Sequence, residues 1–240
     1  MSSSSTDSVQ KFDPARANEY ERQSRIGLAG YDSCHELAAC MLAATLGTGS
    51  VAQILVAGAG GGAKEIVTAG ALEPGWGFTA VDPSQPMLDL TIARLNESGL
   101  SARTEVHLGY VDDLPFEKRF DAATLIGVLH HLPGSDAKLA SLRSLAARTK
   151  PGAPLILACN RHAYASQPLL LSAWAERWRM HGASPDEVQA KHGKILQGAD
   201  PPASDAAVAE LLAQSGFERP TLFFSSLFWG AWLALRRPEG

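Results

Sequence analysis

The chain of 240 residues has few cysteines: Cys34, Cys40 and Cys159, none in a CxxC pair. An odd thiol and no paired spacing exclude a disulfide framework, and a reducing, cytoplasmic setting is the expectation. No apolar run reaches the roughly 18 residues of a membrane helix. The opening MSSSSTDSVQ lacks a positive end followed by an apolar core, so no leader is expected and residues 1–10 read as a disordered tail. Basic residues are scattered and the formal net charge is −4, which leaves no basic face for nucleic acid. His162, His181 and His192 have no zinc-site spacing, so no metal is expected. No internal repeat breaks the chain, and its length suits one large domain over residues 11–240.

What the chain does have is alternation. Residues 18–30 look like a polar helical lead-in. A helix follows over DSCHELAACMLAAT, with Leu37, Cys40, Met41 and Ala44 on one face and Asp32 or Ser33 as N-cap. VAQILVA is a short, continuously apolar run, as in a strand buried on both faces of a parallel sheet. Helix GAKEIVTAGAL, strand WGFTAVD, helix SQPMLDLTIARLNESG, and strands RTEVHLGY and RFDAATLIGVL come next. Helix DAKLASLRSLAART, strand APLILAC and helix SDAAVAELLAQSGF lead to RPTLFFSS and FWGAWLALRR, two strands with a turn that permits only antiparallel pairing. The expected architecture is α/β: an open, mostly parallel seven-stranded sheet with a C-terminal antiparallel pair.

Such a sheet binds ligands at the carboxyl ends of its strands. Gly58, Gly60 and Gly62 follow the first strand, where a main chain without side chains approaches a ligand closely. Asp82 ends the second strand, about 24 residues after Gly58, near the spacing at which an acid accepts hydrogen bonds from two ribose hydroxyls. The alternative for Asp82 is a cap on the helix that follows. Gly58, Gly60 and Ala63 also satisfy G-x-G-x-x-A, which keeps a nicotinamide dehydrogenase open.

GAGGG, VDPSQPML, FDAATLIGVLHHL, KPGAPLIL and the closing SGF with its strand pair, in this order over about three-quarters of the chain, resemble the S-adenosylmethionine-dependent methyltransferases of the Rossmann-like class. The resemblance implies a methyltransferase domain with a Rossmann-like sheet and S-adenosylmethionine as cofactor. It implies that Gly58, Ala59 and Gly60 sit against the methionine part and ribose, and that Asp82 holds the ribose hydroxyls. Pro83 and Met87 would flank the adenine, Val111 would offer its N–H to the adenine edge, and Ile126 would line the sulfonium side. Two positions depart from the family pattern: Val56 stands where an acid is usual, and Tyr110 where Asp is usual. Glu65 and Asp112 are the neighbouring acids expected to rebuild binding.

RIGLAGYDSCHELAACML and the C-terminal stretch are similar to a narrower branch, the carboxy-S-adenosylmethionine synthases. That likeness implies a tyrosine at Tyr31 reaching over the cofactor; packing on the sheet edge is the alternative. The branch also needs an arginine for its co-substrate's carboxylate, where Lys191 and His192 stand here, and the two are not interchangeable with Arg at a bidentate site.

Methyl transfer from a sulfonium needs alignment of the acceptor and, where its nucleophile is protonated, removal of a proton. His130 and His131, just beyond the fourth strand, are the catalytic candidates, with a structural role as the alternative. Residues 11–48 and the 160–200 insert would form a helical cap. In the insert, Trp174 and Trp178 stand four apart on one helical face and could wall an acceptor pocket, pack on their own core or meet a second subunit in a homodimer. The expected function is methylation of a small-molecule acceptor. The alternatives are a synthase-like, cofactor-modifying enzyme and a non-catalytic S-adenosylmethionine-binding protein.

Overall fold

The computed structural model describes residues 22–60 and 62–238. The expected tail and the first part of the lead-in lie outside the described residues. Residues 22–27 are helical. They are followed by α1 (Tyr31–Leu46), β1 (Ala52–Ala57), α2 (Lys64–Leu72), β2 (Trp76–Asp82), α3 (Gln85–Glu97), β3 (Thr104–Leu108) and β4 (Ala122–Ile126). Then come α4 (Gly134–Arg148), β5 (Pro154–Asn160), α5 (Pro168–Met180), α6 (Pro185–Gly198), α7 (Asp205–Gln214), β6 (Phe217–Ser226) and β7 (Trp229–Arg236).

The seven strands form one sheet in the order β3-β2-β1-β4-β5-β7-β6. Strands β1 to β5 pair in parallel, and β7 runs antiparallel between β5 and β6. Alternate residues of a strand face opposite sides, and in β1 both sides are core. Leu55 and Ala57 pack with Leu125, Leu142 and Leu157 on one side. Ile54 and Val56 pack with Ala38, Ile66 and Ala69 on the other. The strand order reverses between β1 and β4, which places the ligand crevice at the carboxyl ends of those two strands.

The start of α1 differs from expectation. Its N-cap is Gly30 at φ 85, with no side-chain cap. Asp32 instead pairs with Arg25 and, at 3.0 Å, with the Lys64 ammonium, two cations that outcompete backbone amides for its carboxylate. The buried face is also different: Cys34, His35, Ala38, Ala39, Leu42 and Ala43 point inward, whereas Leu37 and Cys40 are exposed. Small side chains let α1 lie close on α2, and that close packing outweighs burial of the larger Leu37.

The 160–200 insert folds mainly as α5 and α6. Trp174 and Trp178 stack with ring centroids 5.0 Å apart, and both are buried with Ile26, Tyr164 and Phe228. Trp174 Nε1 donates to Gly27 O (2.8 Å) and Arg177 donates to Ile26 O (2.7 Å), fastening α5 to the segment before α1. At its other end Asp200 donates its N–H to His130 O (2.8 Å), while its carboxylate accepts from Gly134 N–H (2.7 Å) and the buried Lys138 ammonium (2.8 Å). The tryptophans are only 4% exposed, so they offer no interface to a second subunit. The Asn160-to-Asp200 segment has enough apolar residues to bury both within the cap itself. No helix among the described residues is long and apolar enough to cross a membrane.

Candidate active site

A cavity of about 660 Å³ opens where the carboxyl ends of β1, β4 and β5 meet the cap. Its floor is the β1–α2 loop. Gly58 adopts φ 67, and a Cβ there would lie 2.2 Å from Val128 Cγ2, so only glycine fits. Gly60, at φ 61, donates its N–H to Asp82 Oδ2 (3.1 Å). Asp82 Oδ1 accepts from Ser84 N–H (2.9 Å) at the start of α3. The acid therefore ties the glycine loop to the turn that leads into α3, whose N-cap is Ser84. Burial raises its pKa, against the two backbone hydrogen bonds that lower it; the Glu65 charge adds to the rise.

Of the expected site residues, the cavity brings together Tyr31, Gly58, Ala59, Gly60, Ile126, His130, His131, Trp174 and Trp178. Tyr31 opens α1 and leans over the loop: its Oη is 3.6 Å from where a Gly62 Cβ would stand. Asp82, Pro83, Met87, Tyr110, Val111 and Asp112 do not line it. Met87 is buried in the first turn of α3, and Val111 packs on the core. Tyr110 is half exposed, and its N–H donates to Asp113 Oδ2 (2.7 Å). Asp112 accepts from Ser144 Oγ of α4 (2.9 Å), which turns its carboxylate from the cavity toward that helix.

Val56 is 1% exposed and wholly inside the core, so an acid at that position would be buried there. The carboxylate lining the cavity is Glu65, in the first turn of α2, with a side chain only 10% exposed. It lies 3.6 Å from His35 Nε2, and the Nδ1 of that ring is bonded to Tyr31 O (2.9 Å). A carboxylate so enclosed, beside the cradle of glycines, suits the positively charged amino end of S-adenosylmethionine. The residues present therefore fit that cofactor: a side-chain-free loop, a loop-bound acid at Asp82 and a buried acid at Glu65.

His130 is buried, with ring centroids 4.2 Å from His131 and 5.1 Å from Trp229. Burial, with the charges of His131 and Lys138, pushes its pKa well down, so it is neutral. Its Nδ1 faces Asn160 N–H at 3.4 Å, which leaves the proton on Nε2. A ring held this way positions the end of β5 and has no free lone pair with which to take a proton. His131 is exposed and lines the cavity.

The aromatic side of the chamber contains residues that sequence reasoning passed over: Asn160, Tyr164 and Trp229. Asn160 ends β5 and is the direct register partner of Trp229 in β7. The rule that strand carboxyl ends face the crevice, applied to β4, would have found Asn160 on β5. Burial pushes the Tyr164 phenol up to about 12, against the Asn160 hydrogen bond, which lowers it. No arginine lies among the described residues lining the cavity; Lys191, which donates to Gln23 Oε1 (2.7 Å), and Lys194 line it.

Residues 55–155 match a family model described as "Methyltransferase domain". No curated protein matches the chain. Among solved structures, a "possible exported protein" from Bordetella parapertussis is similar at 15% identity and a TM-score of 0.64, covering 85% of this chain and 67% of that one. An O-methyltransferase family protein from Burkholderia thailandensis is similar at 16% identity and a TM-score of 0.61, covering 91% of this chain and 64% of that one. The mitomycin 7-O-methyltransferase MmcR is similar at 20% identity and a TM-score of 0.59, covering 96% of this chain and 62% of that one. This chain thus spans about two thirds of the length of these proteins or slightly less. Over residues 55–155 the chain is thus similar to a methyltransferase domain, and the methyl donor that goes with such an enzyme is S-adenosylmethionine.

Proposed function

We propose that the protein methylates a small-molecule acceptor held beneath the helical cap. The observation that carries this reading is one cavity with two unlike halves. On one side lie the left-handed glycines and Glu65; on the other lie Tyr164, Trp174, Trp178 and Trp229. When bound, S-adenosylmethionine supplies a methyl group on a sulfonium that is already an activated leaving group. The chain then mainly has to align its guests and exclude water.

Gly58, Ala59 and Gly60 would lie against the methionine part and ribose, with Asp82 holding the ribose hydroxyls and Tyr31 closing over the loop. Glu65 would receive the amino group, the role left vacant by Val56. Pro83, Met87 and Val111 remain the proposed adenine contacts, with Tyr110 at the rim; Asp112 drops out because Ser144 occupies its carboxylate. Ile126 would line the sulfonium side. Trp174 and Trp178 present an apolar aromatic wall that suits a flat acceptor. His130 fixes the β5 end, and His131 is the remaining titratable group of the pair at which an acceptor's proton would leave.

The test is isothermal calorimetry with S-adenosylmethionine and S-adenosylhomocysteine, with NADH and NADPH as controls and Asp82→Ala as the site variant. Adenosyl-compound binding that Asp82→Ala abolishes supports the reading. Nicotinamide binding, or no adenosyl binding at about a millimolar, roughly −4 kcal/mol of affinity, sinks it.

A further inference from the structure

Two residues that line the cavity each carry a buried polar atom with no hydrogen-bond partner. Several buried side-chain N and O atoms are unpaired among the described residues; of these, Asn160 Oδ1 and Trp229 Nε1 belong to residues lining the cavity. One is a hydrogen-bond acceptor and the other a donor. They stand opposite each other in the β5–β7 register, at the carboxyl end of β5. Buried polar groups are nearly always satisfied, and an orphaned pair inside a ligand cavity marks where the ligand's own polar group goes.

The surroundings fix both atoms in place. Asn160 is 3% exposed, and its amide nitrogen is used on Tyr164 Oη at 2.8 Å, which leaves the carbonyl oxygen as the open acceptor. Its backbone N–H faces His130. The Trp229 indole lies edge-on to that same imidazole and 3.8 Å from where a Gly127 Cβ would stand, next to Ile126. The pair therefore sits beside the strand end that the proposed function assigns to the sulfonium.

We propose that Asn160 and Trp229 form a hydroxyl-binding site and that the acceptor is an alcohol or phenol, its O–H donating to Asn160 Oδ1 and its oxygen accepting from the Trp229 indole N–H. A hydroxyl is the small group that offers a donor and an acceptor on one atom. An aryl amine offers the donor, but its delocalised lone pair is a poor acceptor; an apolar ring offers neither and leaves both protein atoms unpaired. The aromatic wall of Tyr164, Trp174 and Trp178 favours a ring carrying the hydroxyl. This inference rests on the proposed function and names the acceptor class for the same site.

Calorimetry on the full chain saturated with S-adenosylhomocysteine tests it with 1-naphthol, 1-naphthylamine and naphthalene as probes. The naphthol should bind about tenfold or more tighter than naphthalene, with the amine between them. In Trp229→Phe, which keeps a ring but removes the donor, naphthol should lose its advantage over the amine. Asn160→Leu should remove the amine's advantage over naphthalene. Retained binding of S-adenosylhomocysteine shows that each variant is folded. Equal affinity for naphthol and naphthalene in the unmodified protein overturns the inference, as does a naphthol preference that survives both substitutions. Failure of S-adenosylhomocysteine to bind the unmodified protein is a separate result that removes the cofactor reading itself.

Discussion

Gly58 and Glu65 carry the sharpest consequences of single residues. At Gly58 the positive φ alone would cost an alanine about 1–2 kcal/mol, and its Cβ would also strike Val128. Gly58→Ala should lower the melting temperature and weaken S-adenosylhomocysteine binding. Adding Val128→Ala should recover the steric part but not the conformational part, a coupling that a double-mutant cycle reads directly. Glu65→Gln should raise the Kd for S-adenosylmethionine about tenfold, roughly 1.4 kcal/mol, while leaving 5′-methylthioadenosine, which has no amino end, unaffected. Equal weakening of both ligands would refute the assigned contact. The glycines and Asp82 were legible because their spacing follows from backbone chemistry. The pairing of Glu65 with His35 was not, because it depends on how α1 lies across α2.

At the level of elements, the cap depends on a small fastening at Asp200. This residue ties the end of the insert to the turn after β4, through Gly134 N–H, His130 O and the buried Lys138. Asp200→Ala would leave the Lys138 ammonium buried against the Leu132 and Gly134 carbonyls with no carboxylate beside it. A loss of about 1–3 kcal/mol in chemical denaturation is expected. The pair is also acid-sensitive: the Lys138 hydrogen bond and the Gly134 amide hold the Asp200 carboxyl below its ordinary 3.8. The native carboxyl therefore holds its proton less tightly than the unfolded one. Its contribution is full above pH 3.8 and vanishes as the pH falls through the lower native value, and Asp200→Asn should remove that part of the pH dependence. Most elements were legible from periodicity, as in β2, which runs over the same WGFTAVD that reads as a strand, but α6 in the insert was not. The face of α1 was not, because helix contact selected its small residues over Leu37.

For the whole molecule, the sheet and the helical insert meet along one cavity, yet they should respond separately to mutation. Trp174→Ala removes a ring stacked on Trp178 and a hydrogen bond to Gly27, and should destabilise the protein by about 3–5 kcal/mol. Trp174→Phe, which keeps most of the packing, should weaken aromatic acceptors while leaving S-adenosylhomocysteine affinity within about twofold, because Trp174 packs with Tyr164, Trp178 and Phe228 and not with the glycine loop. Equal loss of acceptor and cofactor affinity would show that the two halves are not independent. The sequence by itself determined the strand and helix order, the antiparallel end of the sheet and the glycine–acid pattern at the switch point, because periodicity and backbone conformational limits are local properties. Only the tertiary structure decided that Val56 is core and Glu65 the cavity's acid, that His130 has no free lone pair, and that Asn160 meets Trp229 across β5 and β7. Those facts arise from contacts between residues far apart in the chain, and no local pattern records them.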